Sequence, residues 1–153
     1  MAVSTKVYAN AALQAFGGGA SGDVPNIDFL SDTIKVSLHT SSYTPDQSAH
    51  KFRSSTTATE VASGNGYTTG GVTLAGKTLA VAGNVATFDS STDPTWSTAT
   101  FTARYAVIYD DTPATDATKP LLAYIDFGAD LSPSNGSLVI TFNASGIFTM
   151  TAS

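Results

Sequence analysis

The second half of this chain is a succession of short apolar segments separated by turn-forming residues, and this pattern most narrows the possible folds. Candidate strands are predicted at residues 72–81, 85–88, 98–109, 121–127, 137–143 and 147–150. The residues between them are rich in Gly, Pro, Asn and Asp, which favour turns through backbone freedom or local side-chain hydrogen bonds. Strands at this spacing indicate a mainly β fold, an antiparallel β-sandwich or a barrel-like domain.

The first half contains one strand with clear alternation, followed by a short helical segment. In residues 33–40 apolar residues alternate with polar ones, which places His39 on the polar face of the predicted strand. Thr44 and Gln47 have the spacing of a capping box, so a helix of one or two turns is predicted to begin there and to end near Arg53.

The N-terminus is predicted to be a helical arm joined to the body by a glycine-rich connector. Ser4 or Thr5 can cap a helix that runs to Phe16, and three consecutive glycines end it. We therefore divide the chain into an N-terminal helix and connector at 1–26 and a single β domain at 27–153. Because a helix of about three turns is marginal alone, it must dock on its own sheet or on a neighbouring subunit.

Charge argues against several classes of partner. The chain has 153 residues, of which only 12% are charged, and its net charge is −5. Its seven basic residues are scattered along the sequence, so a nucleic-acid or anionic-membrane surface is not expected. A surface of Ser, Thr and Gly costs little to desolvate and suits contact with other proteins, although a neutral β-protein surface explains the composition equally well.

Reactive residue types are scarce. The absence of cysteine excludes disulfides, cysteine-bound zinc and thiol catalysis. We interpret both histidines, His39 and His50, as surface or capping residues. The carboxylates Asp110-Asp111, Asp126 and Asp130 suit turns better than a glycosidase or calcium site, because they lack surrounding aromatics and alternate ligand spacing. No catalytic residue, metal or cofactor is therefore predicted.

No segment predicts insertion into a membrane. The chain has no run of about 18 apolar residues. Asn10 and Gln14 interrupt the apolar stretch near the N-terminus, so a signal peptide is not favoured. We expect a protein that is made and kept in a cytoplasm, or in a particle assembled there.

Four segments in a fixed order carry a resemblance to a known family. They are TIKVSLHTSSYTPDQSAHKF, EVASGNGYTTGGVTLAGKT, TARYAVIYDDTPATDATKPLLAYIDFG and NGSLVITFNASGIFTMTAS. With the N-terminal KVY segment, they make nearly the whole chain similar to a family of small tailed-bacteriophage virion proteins, described as structural, head or minor virion proteins. The segment GGGASGDVPN departs from leaner members of that family.

The resemblance implies a non-enzymatic structural protein. Among virion locations we favour a capsid decoration protein that binds the major capsid protein lattice on the outer surface of the head. The implied localisation is the virion, assembled in the bacterial host cytoplasm, and a homo-oligomer, such as a trimer, is compatible with this role. The predicted contact residues are, in the N-terminal arm, Val3, Tyr8, Leu13 and Phe16 and, in the loop at 43–53, Tyr43, His50, Phe52 and Arg53.

Other functions stay open at this point. A tail or fibre-associated virion protein would have the same general character with a different partner. A carbohydrate-binding β-sandwich module would need exposed aromatic side chains, for which Tyr43, Tyr67 and Trp96 are the candidates. An enzyme is the weakest alternative, because the motifs expected of a nucleophilic or phosphate-binding site are missing.

Overall fold

The computed structural model describes residues 4–15 and 26–152. Val3 and Phe16, two of the predicted contact residues, lie outside the described residues. The described chain forms ten strands, one α-helix and two short 3₁₀ turns, at Arg53–Ser55 and Thr57–Thr59. The bounds are β1 Ser4–Val7, α1 Ala9–Ala15, β2 Ile34–His39, β3 Val72–Thr73, β4 Lys77–Ala82, β5 Val85–Ser90, β6 Thr95–Ala99, β7 Ala103–Asp110, β8 Leu121–Leu131, β9 Gly136–Val139 and β10 Phe148–Thr151.

A five-stranded antiparallel sheet, the central sheet, is the middle of the fold. Its strand order is β1–β8–β7–β2–β3. Alternation in β2 divides the side chains between two faces, with Val36 on the first face and Ser37 on the second. Val36 is paired with Ile108 and Ser37 with Val107, so β7 continues the same division. Both faces are covered, since Arg104 and Tyr105 are the only residues of β7 that are not fully buried.

Two smaller sheets cover the first face. One has the order β10–β5–β4 and the other pairs β6 with β9. Phe88 of β5, Trp96 of β6 and Leu138 of β9 join the residues of the central sheet in one buried cluster. We refer to β4 and β5, Lys77–Ser90, as the outer hairpin. The mainly β, antiparallel fold with a short N-terminal helix is therefore confirmed.

The prediction for the N-terminal segment was wrong at its start. Ser4–Val7 is a strand and the helix begins only at Ala9. The four residues of β1 pair with β8, from Ser4 opposite Asp126 to Val7 opposite Ala123. Because these backbone groups find partners in a sheet that is distant in sequence, pairing overrides the local capping preference of Ser and Thr. The segment predicted to be an arm thus contributes an edge strand.

The predicted capping box also differs from the structure. Asp46, not Thr44, accepts the backbone N–H groups of Ser48 and Ala49 through Oδ1, each at 2.9 Å. Gln47 does not close a box, because its Nε2 donates to the carbonyl oxygen of Val7 at 2.9 Å. A single turn follows Asp46, and it is tied to the end of β1.

Two predicted strands are each divided into two. The strand predicted at 72–81 is broken at Gly76, whose φ is +61° and where a Cβ would lie 1.9 Å from Ser91 Oγ. At Gly76 the backbone leaves the extended region, so one strand cannot continue. The strand predicted at 98–109 is interrupted at residues 100–102, between the end of β6 at Ala99 and the start of β7 at Ala103.

Candidate partner-binding surface

The second face of the central sheet is covered by a group of tyrosines. Tyr8 and Tyr43 form a short hydrogen bond of 2.5 Å between their hydroxyl groups. The Tyr43 hydroxyl also lies 3.2 Å from His50 Nδ1. Burial raises the pKa of Tyr43 to about 12, so both phenols stay neutral and hydrogen-bonded. This arrangement joins the residue after β1 to the loop that follows β2.

Burial changes the expected roles of two predicted contact residues. Tyr8 is 0% exposed and Tyr43 is 2% exposed. Both pack with Tyr109 and Tyr124 against the second face, where aromatic rings bury a large apolar area. Neither side chain reaches the surface of this chain, so burial does not favour the prediction that Tyr8 and Tyr43 contact a partner.

Arg53 is the centre of a buried ion network on the same side of the sheet. Its Nη2 lies 2.6 Å from Glu60 Oε2, and its Nη1 lies 2.9 Å from Asp116 Oδ2. The guanidinium lies 5.0 Å from the centre of the Tyr109 ring, a distance that permits a cation–π interaction. Since Arg53 is 7% exposed, burial does not favour the prediction that it contacts a partner either.

Glu60 completes this network from the other direction. Its Oε1 accepts hydrogen bonds from the Tyr67 hydroxyl and from the Gly70 backbone N–H, both at 2.6 Å. The Tyr67 hydroxyl in turn accepts the backbone N–H of Leu38 at 3.0 Å. Both oxygens of the carboxylate are thus paired, as a buried charge requires. We refer to Arg53, Glu60, Tyr67 and the partly exposed Asp116 as the buried ion network.

His39 is not on the surface, contrary to the prediction. Its side chain is 0% exposed, and its Nε2 lies 2.9 Å from Ser37 Oγ. Burial and, to a smaller extent, the positive charge of Arg53 together lower the pKa of His39 to about 3. The alternation correctly placed His39 on the second face, but that face is covered by the segment between β2 and β3.

The aromatic residues proposed for sugar binding are also inside the protein. Tyr43, Tyr67 and Trp96 are 2%, 3% and 3% exposed. Tyr67 and Trp96 stack with their ring centres 6.4 Å apart. A sugar platform needs the open face of an aromatic ring, and none of these three side chains offers one.

The predicted turn carboxylates have structural partners. Asp110 Oδ1 accepts the backbone N–H of Thr112 at 2.8 Å, and burial raises the pKa of Asp110. Asp111 binds both Lys35 and Lys119, each at 2.7 Å. In residues 4–15 and 26–152, no three His, Asp or Glu side chains are grouped so that they could hold a metal ion. Nor does this part of the chain contain a helix long and apolar enough to cross a membrane.

Two exposed apolar side chains, Val81 and Met150, line depressions formed by α1, β10 and the outer hairpin. A groove, which we call the α1–β10 groove, runs between the helix and the last strand. Its lining residues are apolar apart from one threonine and are Val7, Ala11, Ala12, Ala15, Phe29, Phe148, Thr149 and Met150. Met150 is 41% exposed and also belongs to a second, shallower depression.

That second depression lies at the tip of the outer hairpin. It is lined by Val81, Gly83, Asn84, Ala86, Met150, Thr151 and Ala152. Val81 is 73% exposed, the most exposed of the large apolar side chains in the described residues. Among the described lining residues of both depressions there is no charged side chain. The two depressions meet at Met150, and together they form one uncharged surface.

Sequence reasoning missed most of this surface. Leu13 was predicted and is 55% exposed, but it does not line the groove. His50 and Phe52, the other described contact candidates, are half-buried. A signal was present in the run Leu79–Ala82, which is apolar at every position beside a Gly-Asn turn. Because only one face of a strand can pack on a core, such a run leaves apolar side chains exposed.

Neither a model of a known protein family, nor a curated protein, nor a solved structure matches this chain. The similarity to phage virion proteins therefore stays a prediction.

Proposed function

We propose that this chain is a non-enzymatic structural protein of a tailed-bacteriophage virion, and specifically a decoration protein on the outer surface of the head. Its partner would be the lattice of the major capsid protein. One observation carries the proposal: an uncharged, exposed apolar surface around Met150 on a body whose buried ion network is already paired internally. Exposed apolar patches on a folded domain commonly mark protein–protein contacts.

The chemistry of this surface suits a neutral protein partner. Removing apolar surface from water contributes roughly 25 cal/mol per Å², and an uncharged lining has no ionic groups to desolvate. A ligand that binds the assembled lattice but not its dissociated subunits stabilises the assembly by mass action. Because many copies bind one lattice, a modest stabilising free energy from each copy adds up over the whole particle.

The rigidity of the body supports the same role. The central sheet is buried on both faces, and the loop over its second face is held by the buried ion network and by the Tyr8–Tyr43 hydrogen bond. A pre-organised body loses little conformational entropy on binding, so more of the contact energy remains as affinity.

Co-sedimentation with purified heads of the phage that encodes this chain tests the proposal. The wild-type chain should sediment with the heads, and Met150→Lys should bind at least about tenfold more weakly, because a lysine places a charge where the two depressions meet. Val139→Lys is the matched control, since Val139 is 47% exposed and lies on β9, away from this surface.

Both variants must first be shown to melt near the wild-type temperature. Undiminished binding of Met150→Lys would contradict the role of this surface, and heads that bind no wild-type chain would contradict the proposed function. Electron microscopy of the particles locates the bound copies. Hundreds of copies over the head support decoration, whereas copies confined to the tail favour the tail or fibre alternative.

A further inference from the structure

The free edge of β4 is a backbone feature that shares one residue, Val81, with the surface around Met150. In the described part of the fold, β4 lies at the end of its sheet and pairs only with β5. Every residue from Thr78 to Ala82 is exposed. A strand edge presents a row of backbone N–H and C=O groups that can pair with another strand.

The register shows which backbone groups point outward. Ala82 and Val85 flank a two-residue turn and are paired, so they exchange both backbone hydrogen bonds, as in short hairpins. Alternation then directs the backbone groups of Thr78 and Ala80 toward β5. The backbone groups of Lys77, Leu79 and Val81 point to the open edge, and none of them has a hydrogen-bond partner among the described residues.

Natural edge strands are usually protected by charges, proline or bulges. Lys77 is the only charged residue of β4, and its Nζ donates a hydrogen bond to the carbonyl oxygen of Asp32. The lysine charge is therefore held at one end of the strand, against the body. In residues 78–82 the chain has no charge, no proline and no register shift.

We infer that β4 is a self-association edge, at which two copies of this chain pair their β4 strands antiparallel about a twofold axis at Leu79. In this register Leu79 lies opposite Leu79 of the second copy, and Lys77 lies opposite Val81. Each of these positions has outward backbone groups in both copies, so three hydrogen-bonded pairs form with two bonds each. The two outer hairpins become one continuous sheet.

A second copy fits this edge because the edge is complementary to itself. The outward residues 77, 79 and 81 are evenly spaced around Leu79, so a twofold rotation brings outward groups onto outward groups. The same rotation places Lys77 opposite an apolar residue, which avoids the unfavourable pairing of like charges. An edge evolved for a charged partner strand would present charges of its own.

Proline substitution tests the inference by removing one outward N–H without breaking the hairpin. Val81→Pro loses a donor in each copy and so removes two intermolecular bonds, which should weaken the dimer about tenfold or more. Val139→Pro is the matched control. Ile140 donates its N–H to Pro94 across the β6–β9 pair, so the Val139 N–H likewise points to a free edge.

Sedimentation equilibrium over a wide concentration range measures the effect. The inference expects a wild-type monomer–dimer equilibrium, a similar equilibrium for Val139→Pro and a much weaker one for Val81→Pro. The inference would be overturned if the wild-type chain stayed monomeric or formed a trimer. It would also be overturned if the Val81→Pro variant dimerised as strongly as the wild-type chain. The test needs no phage head, so its result is independent of the proposed function.

Cysteine pairs then test the register, since the chain has no cysteine of its own. With the axis at Leu79, Thr78 lies opposite Ala80 of the second copy in a non-hydrogen-bonded pair, about 4.5 Å apart at Cα, which permits a disulfide. Two Thr78 residues would lie about 7–8 Å apart, too far to be joined.

A mixture of Thr78→Cys and Ala80→Cys chains should therefore form a disulfide-linked dimer on mild oxidation. The Thr78→Cys variant alone should form no more disulfide-linked dimer than the Val139→Cys variant does. A mixture that yields no more linked dimer than the Val139→Cys control would overturn the proposed pairing.

Discussion

The central sheet and the outer hairpin are built from the same kinds of residue but differ in how those residues are used. In β7, Val107, Ile108 and Tyr109 are all at most 1% exposed, because elements pack on both faces of the sheet. In β4, Leu79 and Val81 are 48% and 73% exposed. Apolar runs in the two strands look alike in the sequence, and only the number of covering layers distinguishes them.

This difference means that the central sheet and the outer hairpin contribute to different properties, the first to folding stability and the second to association. The free energy of folding comes from apolar area removed from water, so the central sheet must contribute most of it. The outer hairpin and β10 retain apolar side chains that contribute little to the isolated chain and are available to partners. Mutations should therefore affect unfolding in one region and association in the other.

The largest expected effect comes from breaking the buried ion network. Glu60→Ala removes the partner of Arg53 and the acceptor of the Tyr67 hydroxyl, and it should lower the free energy of unfolding by about 3–5 kcal/mol. Asp126→Ala is the control, because the Asp126–Arg104 pair is partly exposed on both sides and should cost at most about 1 kcal/mol. Urea denaturation of both variants measures the difference. Equal losses would mean that burial of the network has no energetic consequence.

Truncation of an apolar side chain should show the same contrast on a smaller scale. Ile125 is 0% exposed in the central sheet, so Ile125→Ala should destabilise the chain by about 2–5 kcal/mol through lost contacts and a cavity. Val81→Ala, on the outer hairpin, should change stability by no more than about 0.5 kcal/mol. Thermal and chemical unfolding provide the values. A loss on the hairpin comparable with that at Ile125 would show that the hairpin is part of the stabilising core.

The third expected effect is on the pH dependence of stability. The pKa of His39 is lowered to about 3 in the folded chain, against about 6.5 when unfolded. Between these values the unfolded state binds a proton that the folded state does not, so stability falls as pH falls from about 6.5 toward about 3. The slope attributable to His39 should approach about 1.4 kcal/mol per pH unit.

His39→Asn should flatten this dependence between about pH 6 and pH 4.5. Asp110 acts in the opposite sense, because its raised pKa favours the folded state as pH falls. Comparing the variant with the wild type cancels that contribution. A His39→Asn curve parallel to the wild type would contradict the assignment.

Alternation in the sequence was enough to predict the fold class and the two faces of β2, since it depends only on strand geometry. It could not predict that the second face is covered. That depends on Arg53 meeting Asp116 and Tyr109, which lie far from it in sequence. For the same reason β1 was taken for part of the helix: four residues with weak preferences were decided by pairing with β8.

The candidate surface was less predictable than the fold. Burial of Tyr8, Tyr43 and Arg53 removed half of the six described contact candidates from consideration. Residues of β10 such as Met150 were overlooked because a single methionine near a terminus carries no periodic signal. Its importance arises only where the helix, β10 and the outer hairpin come together.

The pairing of β1 with β8 also has a consequence for biosynthesis. Val7 leaves the ribosome well before its partner Ala123, which lies more than a hundred residues later in the chain. At about 5–20 residues per second, the first strand waits on the order of ten seconds with its edge unmatched. The sheet can therefore close only after β8 has been made, and a nascent chain stalled before β8 should remain a ready substrate for chaperones.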